Sequence, residues 1–420
     1  MSEAATNIRV ATATRCITPE GDFFPCYLCG HAIRTELATG ILSDIWATAL
    51  LLEVDGVLSV TVTIELIGLE REYTNDLRAR IAQATGAAFD LVHVDFVHTH
   101  SAPEPHSTPI FGAAGQTAVP GYMEWVAGQA LAAVAAAQEA GLVPATAWCA
   151  RTQIEGLYSN RNGIEKPADK EAALLEFRAA DGGVVAGAYS FACHSTVLGP
   201  QNREVSGDLA AYLADRLQER WGVRPVCLVG AAGDMSNRMY RQGNDQAELE
   251  RVGGGMYAQL PTACGTQLFL HAPKTAAYTF DETYEPDKAK KRAQYESIKE
   301  RVANATTFDE YKVFSSALAG AEAGLDAKPF RLLLECQLID MGDLRLFKVP
   351  AELFSRFGVA IKEALGGVLP LCWCYCDYAT CYLGNREDYG ASFETAGSDV
   401  PVGTTERFVD GAIAFIKENL

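Results

Sequence analysis

The sequence predicts an α/β fold in which strands alternate with helices around a mixed, mostly buried sheet core, with a helical insertion. Apolar strand-like segments recur along the chain, and amphipathic or Ala-rich helical segments separate them. One charge-rich stretch late in the chain interrupts this alternation. Of the 420 residues, 49% are hydrophobic, which is enough apolar material for a large core.

The first third of the chain supplies strands, then a helix, then a strand and another helix. IRVATATRCITP, TALLLEV and LSVTVTIEL are typical of strands, and the turn Asp55-Gly56 joins the last two. Helical spacing follows from residue 70 and ends at Gly86. LVHVDFVHTH is an apolar strand that runs out into polar residues, and an Ala-rich helix is predicted from Tyr122 to Ala140.

The remainder repeats the alternation. ALLEFRA and GVVAGAYSFACH are predicted strands, LAAYLADRLQERWG is an amphipathic helix, and PVCLVGAAGD is a buried strand that enters a glycine turn. RLLLECQLID, LRLFKVP and LPLCWCYCDYA return to strands before a last amphipathic helix in TTERFVDGAIAFIKE. We expect one catalytic domain over residues 1–420, with a helical insertion or cap at about 243–324, where the charge-rich segment falls.

Charge and hydropathy limit the partners of this chain. Its formal charge of −18, from 35 basic and 53 acidic residues, disfavours nucleic acid and anionic lipid. No apolar run is long enough for a membrane helix, and the N-terminus lacks the basic and apolar regions of a signal peptide. We therefore expect a cytoplasmic protein without stable membrane insertion, and homo-oligomers remain compatible with the sequence.

Histidines stand at the ends of two predicted strands. His98 and His100 follow LVHVDFV at a spacing that points both side chains the same way on an extended chain, and His194 ends YSFACH. Polar residues at strand ends are where α/β proteins place their active sites. The pattern is a credible beginning of a zinc site, and the alternative is structural histidines held by hydrogen bonds at strand ends.

Two further segments have the same form. Glu352 follows the strand LFKV and Pro350, and Asp234 and Ser236 follow a strand and a glycine-rich turn. Taken alone, Glu352 is an ordinary acid at a helix start and the turn an ordinary capped turn. Like the histidines, these residues lie at the ends of predicted strands, and this shared position makes them candidates for the same site.

Seven ordered blocks of this sequence resemble the catalytic domain of the neutral, non-lysosomal ceramidases. HTHSAP is similar to that family's T-H-T-H-S-G-P, FACHST to F-x-V-H-G-T, and GAAGDMSN to G-D-V-S-P-N. VPAELFSRF is similar to P-x-E-F-T-T-M, CDYATCY to H-Y-I-T-T-Y, and YSNRNG to the N-R-S-P stretch. The opening from ITPEG to LLLEVDG is similar to the start of that domain.

The resemblance implies one Zn²⁺ per chain, held by His98, His194, Glu352 and Tyr378. Four other positions receive catalytic roles: His100 as a proton carrier, Arg161 in binding or charge stabilisation, Ser236 in orienting substrate or as a nucleophile, and Asp234 as a carboxylate that holds a metal-bound histidine.

Several positions depart from the family pattern. Ala102 and Glu104 stand where the family has glycines, and Phe393-Glu394 aligns with a Tyr-Glu pair whose tyrosine binds the developing oxyanion. Loss of one such donor typically costs about 3 kcal/mol of transition-state stabilisation, unless Tyr382 or Tyr389 compensates.

The function that follows is zinc-dependent hydrolysis of an acyl bond in a small molecule, most often an amide. The substrate is then a ceramide-like lipid of sphingolipid metabolism or a smaller polar amide. Hydrolysis of an ester or lactone at the same site, and a family member that binds metal or ligand without turnover, are the alternatives.

Overall fold

The structure is a computed structural model that describes residues 7–107, 116–326, 328–396 and 398–420. Residues 1–6, which the prediction about the N-terminus includes, lie outside the described residues. Helices and strands alternate as predicted, and the α/β class is confirmed. The helices α1 to α9 are Arg71–Thr85, Tyr122–Ala140, Asp208–Trp221, Gln246–Gln259, Lys288–Ala303, Phe308–Ala323, Ser355–Leu365, Phe393–Ala396 and Thr404–Asn419.

The strands β1 to β19 range from two to fifteen residues. They are Ile8–Cys16, Gly40–Ile41, Trp46–Val54, Val57–Ile64, Val92–Phe96, Val143–Gln153, Ser159–Asn160, Glu171–Arg178, Val184–Phe191, Glu204–Val205, Val226–Val229, Met235–Ser236, Thr266–Leu268, Leu270–Tyr284, Phe330–Gly342, Leu344–Val349, Glu352–Leu353, Leu369–Cys374 and Tyr382–Leu383.

Two sheets form the centre of the fold. The larger one has the order β11-β9-β8-β6-β1-β3-β4-β5, with β13 added beside β6, and the smaller one has the order β14-β15-β16-β18. Most pairs are antiparallel, but β4-β5, β9-β11 and β16-β18 are parallel. These parallel pairs matter for function because the carboxyl ends of parallel strands meet at one edge of a sheet.

The core lies between the sheets and under the helices that cover them. Along β5 every side chain is buried, as expected for a strand covered on both faces. Helix α2 packs on β1 and β3 through small residues such as Ala130 and Ala133, which are fully buried. Small side chains let this helix approach the sheet closely, which explains its Ala-rich sequence.

The predicted helical insertion at 243–324 is only partly helical, because β14 runs through the middle of it. Along β14, Ala276, Tyr278 and Phe280 pack against the core, whereas the alternate residues Thr279 and Asp281 are exposed. That two-residue period is typical of a strand with one solvated face. The α5-α6 hairpin accounts for the helical part, whereas the single-domain boundary stays a prediction.

Within the described ranges, no helix is long and apolar enough to cross a membrane. This agrees with the hydropathy of the sequence, and the cytoplasmic location stays a prediction.

Candidate active site

Strand ends bring the predicted histidines together. His98 and His100 follow β5, and His194 lies three residues beyond β9. An isolated parallel bridge joins Thr99 to Ser195, and the His100 amide donates to the Ser195 carbonyl at 3.2 Å. Two segments 96 residues apart in sequence therefore place their imidazoles side by side.

Glu352 reaches the same place from the smaller sheet. It follows β16 and opens the short strand β17, which pairs in parallel with β19 and sets Glu352 opposite Tyr382. The neighbouring strand β18 ends just before Tyr375, whose carbonyl accepts from the Phe96 amide of β5 at 3.2 Å. The two sheets thus meet at the site, each contributing residues from strand ends.

The resulting cluster is compact and buried. His98 and His194 have ring centroids 4.8 Å apart, and His100 lies 5.0 Å from His98 and 5.9 Å from His194. One oxygen of Glu352, Oε2, lies 3.0 Å from Nε2 of His194 and 3.3 Å from Nε2 of His98. The tightest set is therefore His98, His194 and Glu352, with His100 beside it.

Backbone carbonyls fix the tautomers of all three histidines. Nδ1 of His98 lies 2.7 Å from the Ile67 carbonyl, and Nδ1 of His194 lies 2.7 Å from that of Ala232. Nδ1 of His100 lies 3.0 Å from the Gly30 carbonyl. Since a carbonyl only accepts, each Nδ1 carries the hydrogen, and each ring turns Nε2 toward the cluster.

Burial disfavours the protonated, charged form of the His194 and His100 rings. It lowers the pKa of His194 to about 3, with a further contribution from the charge of Arg161. It also lowers the pKa of His100 well below its usual value, helped by the neighbouring histidines. Burial alone would raise the pKa of Glu352, but His98 and His194 hold it well below its usual range, so the side chain is a carboxylate.

Imidazole nitrogens and a carboxylate that converge on one point can each donate an electron pair, so this arrangement fits a cation. Nε2 of His98 and Nε2 of His100 are buried and make no hydrogen bond within the described residues. Nε2 of His194 carries no hydrogen, and it faces a carboxylate oxygen of Glu352. Two or three imidazoles and one carboxylate form a ligand set suited to a divalent transition metal, and Nδ1 held by a carbonyl is the usual outer support.

The backbone is shaped to hold the cluster. His98 has φ of 55° and Tyr375 has φ of 56°, a left-handed conformation that non-glycine residues rarely adopt and that often marks functional sites. Gly233 is needed because a Cβ there would lie 2.4 Å from the Glu352 carbonyl oxygen. At Gly30, with φ of +96°, a Cβ would meet the His100 ring at 2.4 Å.

Arg161 lies next to the histidines and forms a buried pair with Glu394. Its Nε donates to Glu394 at 2.6 Å, and its Nη2 donates to the Gly233 carbonyl at 2.7 Å and to the Tyr382 hydroxyl at 3.3 Å. The side chains of Arg161 and Glu394 are 5% and 0% exposed. The ring of Phe393 lies 4.7 Å from this guanidinium. The residues aligned with the family's Tyr-Glu pair thus do lie at the site.

Ser236 also lies at the site, but Asp234 does not act as predicted. Ser236 shares a cavity with His100 and Arg161, and its hydroxyl accepts from the Arg238 amide at 3.2 Å. The carboxylate of Asp234 instead accepts from the Ser355 amide at 2.7 Å and from the Asn160 side chain at 2.6 Å. Because main-chain carbonyls already hold the histidines, Asp234 ties two loops together and positions no imidazole.

The structure does not bring the fourth predicted ligand, Tyr378, to the histidines. Its hydroxyl accepts from the Glu335 amide at 3.0 Å and donates to the Leu333 carbonyl at 3.2 Å, on the edge of β15. Two other tyrosines lie there instead. Tyr375 has its ring centroid 4.5 Å from that of His98, and the Tyr382 hydroxyl lies 3.5 Å from Nε2 of His194.

These tyrosines were not predicted as ligands, although the sequence marked Tyr382 as a substitute oxyanion donor. Burial, with the charge of Glu352, raises the pKa of Tyr382 well above its usual value, so its hydroxyl keeps its proton. A neutral phenol beside the cluster is a hydrogen-bond donor suited to a developing negative oxygen. Tyr375 carried no sequence signal, because its place depends on the bridge between β5 and the segment after β18.

A second group of possible ligand atoms lies on the other side of His100, formed by Cys29, Glu104 and His106. Here the atoms satisfy one another. Glu104 accepts from the His106 ring at 2.7 Å and from the His106 amide at 3.0 Å. Burial and the nearby Glu104 raise the pKa of the Cys29 thiol, which therefore stays protonated. This group fits a hydrogen-bonded brace better than a metal site.

The fold and the buried centre together define a mixed α/β protein with a histidine–carboxylate site at the meeting of two sheets. The chain is similar to the crystal structure of neutral ceramidase from Pseudomonas aeruginosa, with a TM-score of 0.73 and 18% identity over 99% of this chain and 75% of that chain. It is also similar to a structure described as ceramidase complexed with C2, with a TM-score of 0.70 and 18% identity over 99% of this chain and 76% of that chain.

No protein-family model matches the chain, and no curated protein matches it. At this level of identity the structural likeness shows the fold. The resemblance to the neutral ceramidases is therefore confirmed as a shared fold over nearly the whole chain.

Proposed function

We propose that this protein is a zinc-dependent hydrolase of amide bonds in N-acyl compounds. The observation that carries the proposal is the convergence of Nε2 atoms from His98 and His194 on one oxygen of Glu352, with His100 grouped beside them. The fold shared with the neutral ceramidase of Pseudomonas aeruginosa supports an amide as the bond, because ceramide is itself an N-acyl amide.

We assign metal binding to His98, His194 and Glu352, the three groups whose donor atoms lie closest together. Zinc bound there supplies a Lewis acid for the scissile carbonyl and lowers the pKa of water toward neutrality. Tyr378 is left out of this set because its hydroxyl is engaged with β15.

The remaining residues bind and move protons. His100 lies beside the ligand set with a buried Nε2 lone pair, so it accepts a proton from water and returns it to the leaving amine. Tyr382 donates its hydroxyl toward the oxygen that becomes negative, in the role that Phe393 cannot fill. Arg161, held by Glu394, adds a fixed positive charge beside the same oxygen.

The test compares amide hydrolysis with metal content in the same samples. We would measure the release of carboxylic acid from short-chain N-acyl amides by protein of known zinc content, before and after EDTA treatment and after zinc is restored. His98→Ala and His194→Ala are expected to lose both zinc and turnover. The matched control is Lys417→Ala, which changes an exposed residue on α9 and is expected to behave as the unmodified protein.

Full zinc retention in both histidine variants would reject the ligand set. If zinc-loaded protein cleaves esters or lactones but no amide, the proposed zinc site would stand, and the proposed bond would change from an amide to an ester or lactone. Zinc-loaded protein that cleaves none of these would favour the non-catalytic alternative.

A further inference from the structure

A cavity opens onto the proposed reaction centre. His100, Ser236, Arg161 and Tyr382 form its inner wall, next to the histidine–carboxylate cluster. Its outer wall comes from the segment after β12 and from helix α6 of the α5-α6 hairpin. Any substrate that reaches the centre through this cavity contacts both walls.

The outer wall carries three cationic side chains. Arg238 and Arg241 follow Ser236 on the short turn after β12, and Lys312 projects from α6. The Arg238 guanidinium lies 5.5 Å from the Phe393 ring, on which Arg161 also stacks. The Arg241 Nη2 donates to the Asn237 side chain at 2.9 Å and to the Thr196 carbonyl at 3.3 Å.

This positive wall stands out against the rest of the molecule. The whole chain has 53 acidic and 35 basic residues, yet every charged residue described along this cavity is basic. Arg161 pairs with Glu394, which lies behind it, and Arg241, one of the three cations of the outer wall, interacts electrostatically with Asp208. All three also have contacts within the protein, so the inference depends on the sign of their charge and their position.

The charge of Lys312 acts on a residue beside the proposed reaction centre. Burial is the main cause that lowers the pKa of His31, and Lys312 is the largest charged contributor to the same shift. His31 lies 5.2 Å from the His100 ring, measured between centroids. A group bound near Lys312 is therefore close to the residue that we assign to proton transfer.

We propose that the substrate of this site is an anionic amide, whose acyl or amine part carries a carboxylate or a similar oxyanion that binds Arg238, Arg241 and Lys312. This deepens the proposed function and rests on it. A neutral two-chain lipid has no negative group to pair with the three cations, whereas oxyanions form charge-assisted hydrogen bonds with arginine and lysine. Recognition then comes from charge on the outer wall, and cleavage takes place at the inner wall.

Matched pairs of compounds test this directly. The first pair is N-hexanoylglycine and its neutral carboxamide, with the charge on the amine side. The second is the monobutylamide of adipic acid and its neutral carboxamide, with the charge on the acyl side. For each compound, kcat/KM is measured with zinc-loaded protein at low and high salt, and binding of the same compounds is measured by titration calorimetry.

We expect the charged member of at least one pair to be preferred by about tenfold or more, and this preference to shrink at high salt. The pair that shows it identifies the side of the amide that carries the anion. Lys312→Gln, Arg238→Gln and Arg241→Gln are each expected to lower the ratio of kcat/KM for the charged member to kcat/KM for the neutral member. Lys312→Gln is informative even where an arginine variant folds poorly, and the control Lys417→Gln removes an exposed charge on α9.

Equal kcat/KM for charged and neutral members in both pairs would overturn the anionic substrate and leave the amide hydrolase standing. If no compound is cleaved, the proposed function is rejected, and only the calorimetric binding data test whether the site recognises an anion. Tighter binding of the charged members, lost in Lys312→Gln, would then support the anion site, and equal binding would overturn it.

Discussion

Oε2 of Glu352 lies 3.0 Å from Nε2 of His194, although the Nδ1 hydrogen of that histidine points away to the Ala232 carbonyl. A carboxylate oxygen therefore faces an imidazole nitrogen in a buried place, where a cation between them would be bound by both. The same oxygen lies 3.3 Å from Nε2 of His98. This geometry leads to the first two predictions.

Glu352→Gln is expected to weaken zinc binding by more than about 10-fold to 100-fold, the range seen when even outer partners of a metal ligand are lost. The amide keeps the shape of the side chain but removes the negative charge that offsets the metal. Competition with a chelator of known affinity measures the change. Glu363→Gln, an exposed change on the following helix, is the control, and equal affinities in the two variants would remove Glu352 from the ligand set.

His100→Ala is expected to separate chemistry from metal binding. Since His100 lies outside the tightest set, the variant should retain about one zinc per chain while kcat falls by roughly 10²-fold to 10⁴-fold, the usual contribution of a proton carrier. Zinc content and kcat would be measured on the same preparation, with His98→Ala beside it. Zinc loss in His100→Ala as complete as in His98→Ala would make His100 a third imidazole ligand.

Much of this fold was predictable because its signals are local. Buried strands such as β5 and β11 are short apolar runs, and Gly86 ends α1 in the left-handed conformation expected of a helix stop. The exception is β14. Its neighbours in sequence are charged and helical. Its apolar residues Tyr278 and Phe280 can be recognised as part of a strand only from their pairing with β15. That pairing joins residues about 50 positions apart, which local patterns do not reveal.

The site was predictable to the same extent. Histidines at strand ends and the ordered motifs located His98, His100, His194 and Glu352, all of which the structure brings together. The sequence could not show which tyrosine lies beside the histidines, because Tyr375 and Tyr378 are three positions apart in one motif and backbone turns decide which reaches the cluster. Tyr375 has φ of 56°, a conformation that its residue type does not indicate, and Asp377 has φ of 65°.

The Arg161–Glu394 pair is expected to be important for stability. Glu394→Gln leaves the guanidinium buried with reduced compensation, and breaking such a pair typically costs about 3–5 kcal/mol of unfolding free energy. Urea denaturation measures the loss. The exposed pair of Arg356 and Glu387, at 3.2 Å, supplies the control, since Glu387→Gln should cost less than about 1 kcal/mol. Similar losses in both variants would show that burial does not strengthen this pair.

The last prediction concerns pH and the buried carboxyl of Asp234. Burial raises the pKa of Asp234 to about 6, above the value of about 3.9 in an unfolded chain. The folded chain therefore favours the protonated form. The stabilising contribution of this group is complete below about pH 3.9 and is lost as the pH rises through about 6.

Asn cannot ionise, so Asp234→Asn should remove this part of the pH dependence. Between pH 4 and pH 6 the unfolding free energy of the variant is expected to fall by about 2 kcal/mol less than that of the unmodified protein, whatever their absolute stabilities. Urea denaturation at a series of pH values gives both curves, and Asp410→Asn, on the exposed face of α9, is the control. Parallel curves for Asp234→Asn and the unmodified protein would mean that Asp234 is ionised throughout this range, held so by the Ser355 amide and the Asn160 side chain rather than governed by burial.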